Sequence, residues 1–120
     1  MEIFKTFTFD AAHHLPNCPP GHRCRRPHGH SYKVEIHLAG EPDPETGWII
    51  DFGDIKKAVQ PVVDQIDHQY LNEVEGLENP TTETLVVWLW ERVKPVLANL
   101  SKIVVYETDT SGCVYTGPKD

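Results

Sequence analysis

His28-Gly29-His30 sets two imidazoles two residues apart. On a strand, residues i and i+2 project from one face. The two rings then stand side by side, and the glycine between them leaves room for a ligand or metal. The bland alternative is a pair of surface histidines beside a turn. A third imidazole separates these readings. Strand parity puts His13 on the face of Phe7, Phe9 and Ala11, and His14 on that of Thr6, Thr8 and Asp10. His30 shares its side with Tyr32 and Val34. If both apolar faces meet one core, His13 converges with His28 and His30 while His14 does not. Three histidines leave one position of a tetrahedral zinc open, as in catalytic rather than structural sites. Neutral imidazole also suits other divalent metals, so Zn2+ is a preference.

Two rival metal readings exist. Cys18, Cys24, His28 and His30 would make a closed Cys2His2 site, but no close Cys pair is present and the two histidines share a face. Glu35, shortly after His30, would suit a cupin. That fold is all-β, the helical patterns below oppose it, and in an unbroken strand Glu35 points away from both histidines.

Three further places carry chemistry. Cys24 lies in a basic segment with His22, Arg23, Arg25 and Arg26, where positive neighbours and a metal favour thiolate; the alternative is an incidental cysteine. Asp67-His68 follows a helical pattern, and a carboxylate can fix an imidazole tautomer, although sequence neighbours need not touch. Glu107 shares strand parity with Ile103 and Val105. A carboxylate on an apolar face needs a partner, either a two-donor ligand or a cation such as Lys or Arg.

The elements that must position these residues follow from periodicity. Ile3 to Ala12 reads as a strand, and a loop runs from Leu15 to Pro27. His30 to Gly40 alternates, with Tyr32, Val34, Ile36 and Leu38 on one face. Pro42, Asp43, Pro44 and Gly47 bring turn chemistry. Ile55, Val59, Val62 and Ile66 recur at helical spacing, with Asp51 or Asp54 as cap and Pro61 expected to kink or interrupt the helix. A second helix starts after Asn79-Pro80, with Thr81 as N-cap, Glu83 in its first turn, and Leu85, Val86, Leu89 and Val93 as its stripe. Ile103 to Thr108 is a strand, Ser111-Gly112 a turn, and Cys113 to Thr116 a closing strand. The order β-β-α-α-β-β predicts an α+β fold, two helices on one face of an antiparallel four-stranded sheet. Unpaired sheet edges predict subunits joining edge to edge.

Composition bounds the function. The 120 residues, 39% hydrophobic and 24% charged, fit one globular domain over 1–120. A net charge of -7 argues against general nucleic-acid binding, while the local basic cluster leaves an anionic small molecule open. No apolar run is long enough to span a membrane. With no leader and an odd cysteine count, a cytoplasmic setting is expected.

Taken together, Phe9-Asp10-Ala11-Ala12-His13-His14-Leu15-Pro16, Cys24 three residues before His28-Gly29-His30, Asp67-His68 with Leu71-Asn72, Asn79-Pro80-Thr81-Thr82-Glu83 and Val105-Tyr106-Glu107-Thr108 resemble the 6-pyruvoyl-tetrahydropterin synthase family. The short gap after Cys24 and the closing Thr110-Ser111-Gly112-Cys113-Val114-Tyr115 look like its bacterial, carboxy-forming branch. The resemblance implies the tunnelling fold, with sheets joining into a barrel and two trimers stacking into a homo-hexamer. It implies a zinc-dependent carbon-carbon lyase that converts 7,8-dihydroneopterin triphosphate to 6-carboxy-5,6,7,8-tetrahydropterin, acetaldehyde and triphosphate, in queuosine (7-deazaguanine) biosynthesis. The alternatives are the pyruvoyl-forming activity of pterin cofactor biosynthesis and, more distantly, a non-catalytic zinc-binding domain. By the family motif, His13, His28 and His30 match the metal ligands, and Cys24 matches the general base with Asp67 and His68 as its relay. Glu107 matches the pterin anchor, and Thr81 and Thr82 match residues lining the pterin pocket.

Overall fold

The structure is a computed structural model, and residues 1–119 are described. Strands β1 (Glu2–His13), β2 (His28–Ala39), β3 (Leu100–Thr108) and β4 (Ser111–Tyr115) form one antiparallel sheet in that order. Helices α1 (Phe52–Asp64) and α2 (Thr82–Val93) lie between β2 and β3 in the chain. Period-2 alternation on β1 buries Phe7, Phe9, Ala11 and His13; on β2 it buries Tyr32, Val34, Ile36 and Leu38. That face meets the stripes Ile55, Val59 and Val62 of α1 and Leu85, Leu89 and Val93 of α2 in one core. Each fully buried Leu, Ile or Val contributes about 2 kcal/mol relative to its exposed state. No helix among the described residues is long and apolar enough to cross a membrane.

Local chemistry sets the helix ends. The Asp51 carboxylate accepts the Gly53 N–H at 2.9 Å, so Asp51 rather than Asp54 is the cap of α1. The Thr81 hydroxyl accepts the Thr84 N–H at 3.1 Å and starts α2.

Four details differ from the sequence expectation. The second strand begins at His28, not His30. Pro61 does not interrupt α1; it is exposed near the end of the helix, where water can satisfy the carbonyl its missing N–H leaves free. Asp109-Thr110 form the last turn, and Ser111-Gly112 belong to β4. Gly112 is there for close approach: a Cβ would lie 2.4 Å from the Val105 carbonyl oxygen. Finally, Ile66 is buried although it lies beyond the helix.

The sheet's other face carries a polar network. His37 Nε2 lies 2.9 Å from a Glu35 oxygen, and the Tyr106 hydroxyl donates to Glu35 at 3.2 Å. Ser101 donates to Glu2 at 2.7 Å. The His37 bond, helped by Tyr106 and opposed by burial, holds the Glu35 carboxyl below its ordinary 4.5. The Ser101 bond, opposed by burial and helped by Lys102 and His37, does the same for Glu2. A depressed folded pKa gives stability that is complete above the unfolded value and lost as pH falls through the folded one. Thermal midpoints read by circular dichroism should therefore drop below pH 4.5. Glu35→Gln should show a shallower acid limb, and superimposable limbs would exclude Glu35 from that transition.

Candidate active site

The ends of β1 and β2 bring three imidazoles together. His13 pairs with His28 across the two strands, and His30 follows on the same face. His13 is fully buried and the other two partly so. One nitrogen from each lies within 4.8 Å of the others. The rings sit mutually edge-on, with centroids 4.6, 5.1 and 5.0 Å apart.

Backbone carbonyls choose the tautomers. His13 Nδ1 donates to the Pro80 carbonyl at 2.9 Å, and His28 Nδ1 donates to that of Arg26 at 2.8 Å. Both Nε2 lone pairs are thereby turned inward, 3.0 Å apart. Second-sphere carbonyls fix metal-binding histidines in this way. Burial holds the His13 imidazole below its ordinary pKa against the opposing effect of the Pro80 bond, and so favours the neutral, ligating form. His30 Nε2 is buried without a hydrogen-bond partner. The Glu107 carboxylate is 3.5 Å away, a charge contact rather than a hydrogen bond. An orphaned buried nitrogen beside two inward lone pairs suits a divalent cation, and the all-nitrogen donor set suits zinc.

Glu107 keeps the parity of Ile103 and Val105 on β3, which turns it to the face of His30, and it sits at a bulge. The β3–β4 register shifts between Tyr106 and Thr108, so Glu107 is the extra residue. Thr82, in the first turn of α2, donates its hydroxyl to Glu107 at 2.9 Å. The Thr81 hydroxyl is occupied as the α2 cap. Arg23, Cys24, His28, His30, Glu107 and Ser111 line one cavity of about 540 Å³. Cys24 sits half-buried in a short 3-10 turn, Arg23–Arg25. The Cys24 N–H donates to His22 Nδ1, and its carbonyl accepts the Leu15 N–H at 2.7 Å.

Asp67 and His68 do touch, at 2.9 Å. They lie at the outer edge of β1, beside a different cavity of about 550 Å³ that Asp10, Gly29, Ser31 and Tyr70 help line. Asp67 accepts the Asp10 N–H at 3.1 Å, and that bond, with the smaller help of His68 and against slight desolvation, holds the Asp67 carboxyl below its ordinary value. The His68 side chain is 76% exposed, with its Nε2 edge directed away from Asp67. Within one chain, Cys24 and His68 therefore line separate cavities, and His30 borders both.

The remaining expectations sort by parity. Gly29 opens onto the His68 cavity, not the imidazole cluster, because it is one residue out of phase with His28 and His30. A Cβ there would make only ordinary contact, 3.4 Å from the Ala11 oxygen. Glu35 binds His37 and Tyr106 on the far face, which removes the cupin reading. Cys18 Sγ donates to the Leu15 carbonyl, and the metal-ready cluster found among the described residues contains no cysteine. Of the arginines around Cys24, Arg25 donates to the Cys18 carbonyl and Arg23 lines the Cys24 cavity. The Pro80 carbonyl had no sequence signal, since only folding brings it to His13.

Four antiparallel strands backed by two helices, with three convergent imidazoles at one end, define a small α+β protein with a candidate metal centre. The family model for 6-pyruvoyl tetrahydropterin synthase matches residues 2–118. A 6-carboxy-5,6,7,8-tetrahydropterin synthase of Synechocystis is 37% identical, over 98% of this chain and 94% of that enzyme. The human 6-pyruvoyl tetrahydrobiopterin synthase is 33% identical, over 97% of this chain and 91% of its own. The structure of Caenorhabditis elegans 6-pyruvoyl tetrahydropterin synthase superimposes with a TM-score of 0.91 at 28% identity, covering 98% and 96% of the two chains. The chain belongs to the 6-pyruvoyl tetrahydropterin synthase family and has its tunnelling fold.

Proposed function

We propose that this chain is a zinc-dependent carbon-carbon lyase. It takes 7,8-dihydroneopterin triphosphate and water to 6-carboxy-5,6,7,8-tetrahydropterin, acetaldehyde and triphosphate, serving queuosine and other 7-deazaguanine biosynthesis in the cytoplasm. The observation that carries the reading is the imidazole cluster, with its orphaned His30 nitrogen, opening on the same cavity as Cys24 and Glu107. The likeness to the Synechocystis enzyme supports the carboxy-forming product.

His13, His28 and His30 would hold zinc, which supplies Lewis acidity toward the side-chain hydroxyls of the substrate. Glu107, steadied by Thr82, accepts the paired N–H donors of the pterin edge. Thr81 contributes by fixing the start of α2 that carries Thr82. Cys24, as thiolate, takes a proton from the substrate side chain and returns it. Asp67 holds His68 in the tautomer whose Nε2 can exchange that proton. Because Cys24 and His68 line separate cavities, the relay is completed by His68 of a second copy. The outer edge of β4, and that of β1 before Asp10, suit such pairing, which supports a homo-oligomer, a hexamer built as a dimer of trimers whose sheets close into barrels.

Arg23 is positioned for the triphosphate. Arg23→Ala should raise KM about tenfold with kcat little changed, as loss of one charge-assisted contact implies. An unchanged KM removes Arg23 from phosphate binding. The human relative keeps one other reading open, the pyruvoyl-forming activity. Incubating zinc-loaded protein anaerobically with the substrate and reading products by mass spectrometry separates the two. Acetaldehyde with 6-carboxy-tetrahydropterin supports the proposal, 6-pyruvoyl-tetrahydropterin favours the other activity, and no turnover leaves a non-catalytic zinc-binding domain.

A further inference from the structure

His14 points away from the imidazole cluster and has a different partner. Its Nδ1 hydrogen-bonds the Tyr70 hydroxyl at 2.5 Å, with the rings edge-on at 5.8 Å. The Asn72 side chain brackets the same residue, accepting the His14 N–H at 2.9 Å and donating to its carbonyl at 2.9 Å. These bonds continue a row along the outer edge of β1. The His68 N–H donates to the Asp10 carbonyl at 2.6 Å, and the Ala12 N–H donates to that of Gln69 at 3.1 Å. Ala12 and Tyr70 form a parallel bridge.

His68 itself has a φ of 59°, a region that L-residues avoid, so it keeps this conformation only if the chain on both sides is held. Its ring is largely exposed and packing does not orient it. On the N-terminal side, the Asp67–Asp10 bond holds the chain. On the C-terminal side, the first side-chain bond that reaches β1 is Tyr70 to His14. Without that tie the segment is held to β1 by the His68–Asp10 and Ala12–Gln69 backbone bonds and the Asn72 bracket alone, so Gln69 and Tyr70 would lift more often and His68 would relax toward an ordinary backbone.

We propose that the His14–Tyr70 pair is a clasp that fixes Asp67 and His68 on the edge of β1, making His14 and Tyr70 positioning residues for proton transfer. The catalytic part rests on the relay reading above. Adjacent histidines then serve two ends of the site, with His13 facing the metal and His14 setting the geometry of the relay.

The test uses zinc-loaded, full-length Tyr70→Phe, which removes only the hydroxyl. Amide hydrogen exchange at Ala12 and His68 should quicken about tenfold, the worth of one hydrogen bond, while the Val104 and Val105 amides keep their rates. With dihydroneopterin triphosphate, kcat should fall about tenfold and KM stay within about twofold, since positioning acts in the transition state. His14→Ala should reproduce both effects with zinc content unchanged, and His14→Gln, whose amide can reach the hydroxyl, should restore most of each. Unchanged exchange at Ala12 and His68 overturns the clasp. Faster exchange with unchanged kcat overturns its catalytic role. Should the wild-type protein turn over no pterin, the relay reading fails with the catalytic role, and the exchange rates still decide the clasp.

Discussion

Cys24→Ala is expected to lower kcat on 7,8-dihydroneopterin triphosphate by about a thousandfold, the middle of the range for general acid–base groups. KM should change little, because Glu107, Arg23 and the imidazole cluster would still hold the substrate. The fold should survive, since Cys24 is half-buried in a surface turn and its backbone bonds to His22 and Leu15 do not involve the thiol. Zinc content should also survive, because the cluster needs only His13, His28 and His30. A variant within about tenfold of wild-type kcat would move the proton-transfer role to another group, since a true base contributes far more.

The second large effect concerns the metal. Adding zinc to chelator-stripped protein at a hundred times the dissociation constant should stabilise the fold by about 2.7 kcal/mol. For a domain of this size, that raises the melting temperature by roughly 10 °C. His30→Ala should abolish the shift and the bound zinc together. His30 is the informative position because its Nε2 has no competing hydrogen bond. His13→Ala would also strand the Pro80 carbonyl, and would mix metal loss with an unsatisfied acceptor. If His30→Ala keeps one zinc per chain and the full thermal shift, the three-imidazole site is wrong.

Much of this was legible in the residues. Strand alternation is a local property, so the parity that joins His13 to Phe9 and Ala11, and His28 to His30, was readable before any fold was known. The same holds for the cap Thr81, whose hydroxyl bonds to backbone three residues on, whereas for α1 the residues offered Asp51 and Asp54 alike and the structure selects Asp51. Asp67 with His68 was readable as a pair, although its contact had to be seen.

What only the tertiary structure decided involves distance along the chain or a shift of phase. Gly29 opens on the cavity beside His68 because residues 68–70 lie along the edge of β1 there. Glu107 meets Thr82 because the first turn of α2 packs over the end of β3, a contact across 25 residues of chain. The tautomer of His13 is set by Pro80, 67 residues away. The separation of Cys24 from His68, and the clasp of His14 on Tyr70, arise because residues 67–72 lie along the edge of β1. Periodicity records which face a side chain takes. Which other face it meets is decided by packing, and no local pattern encodes that.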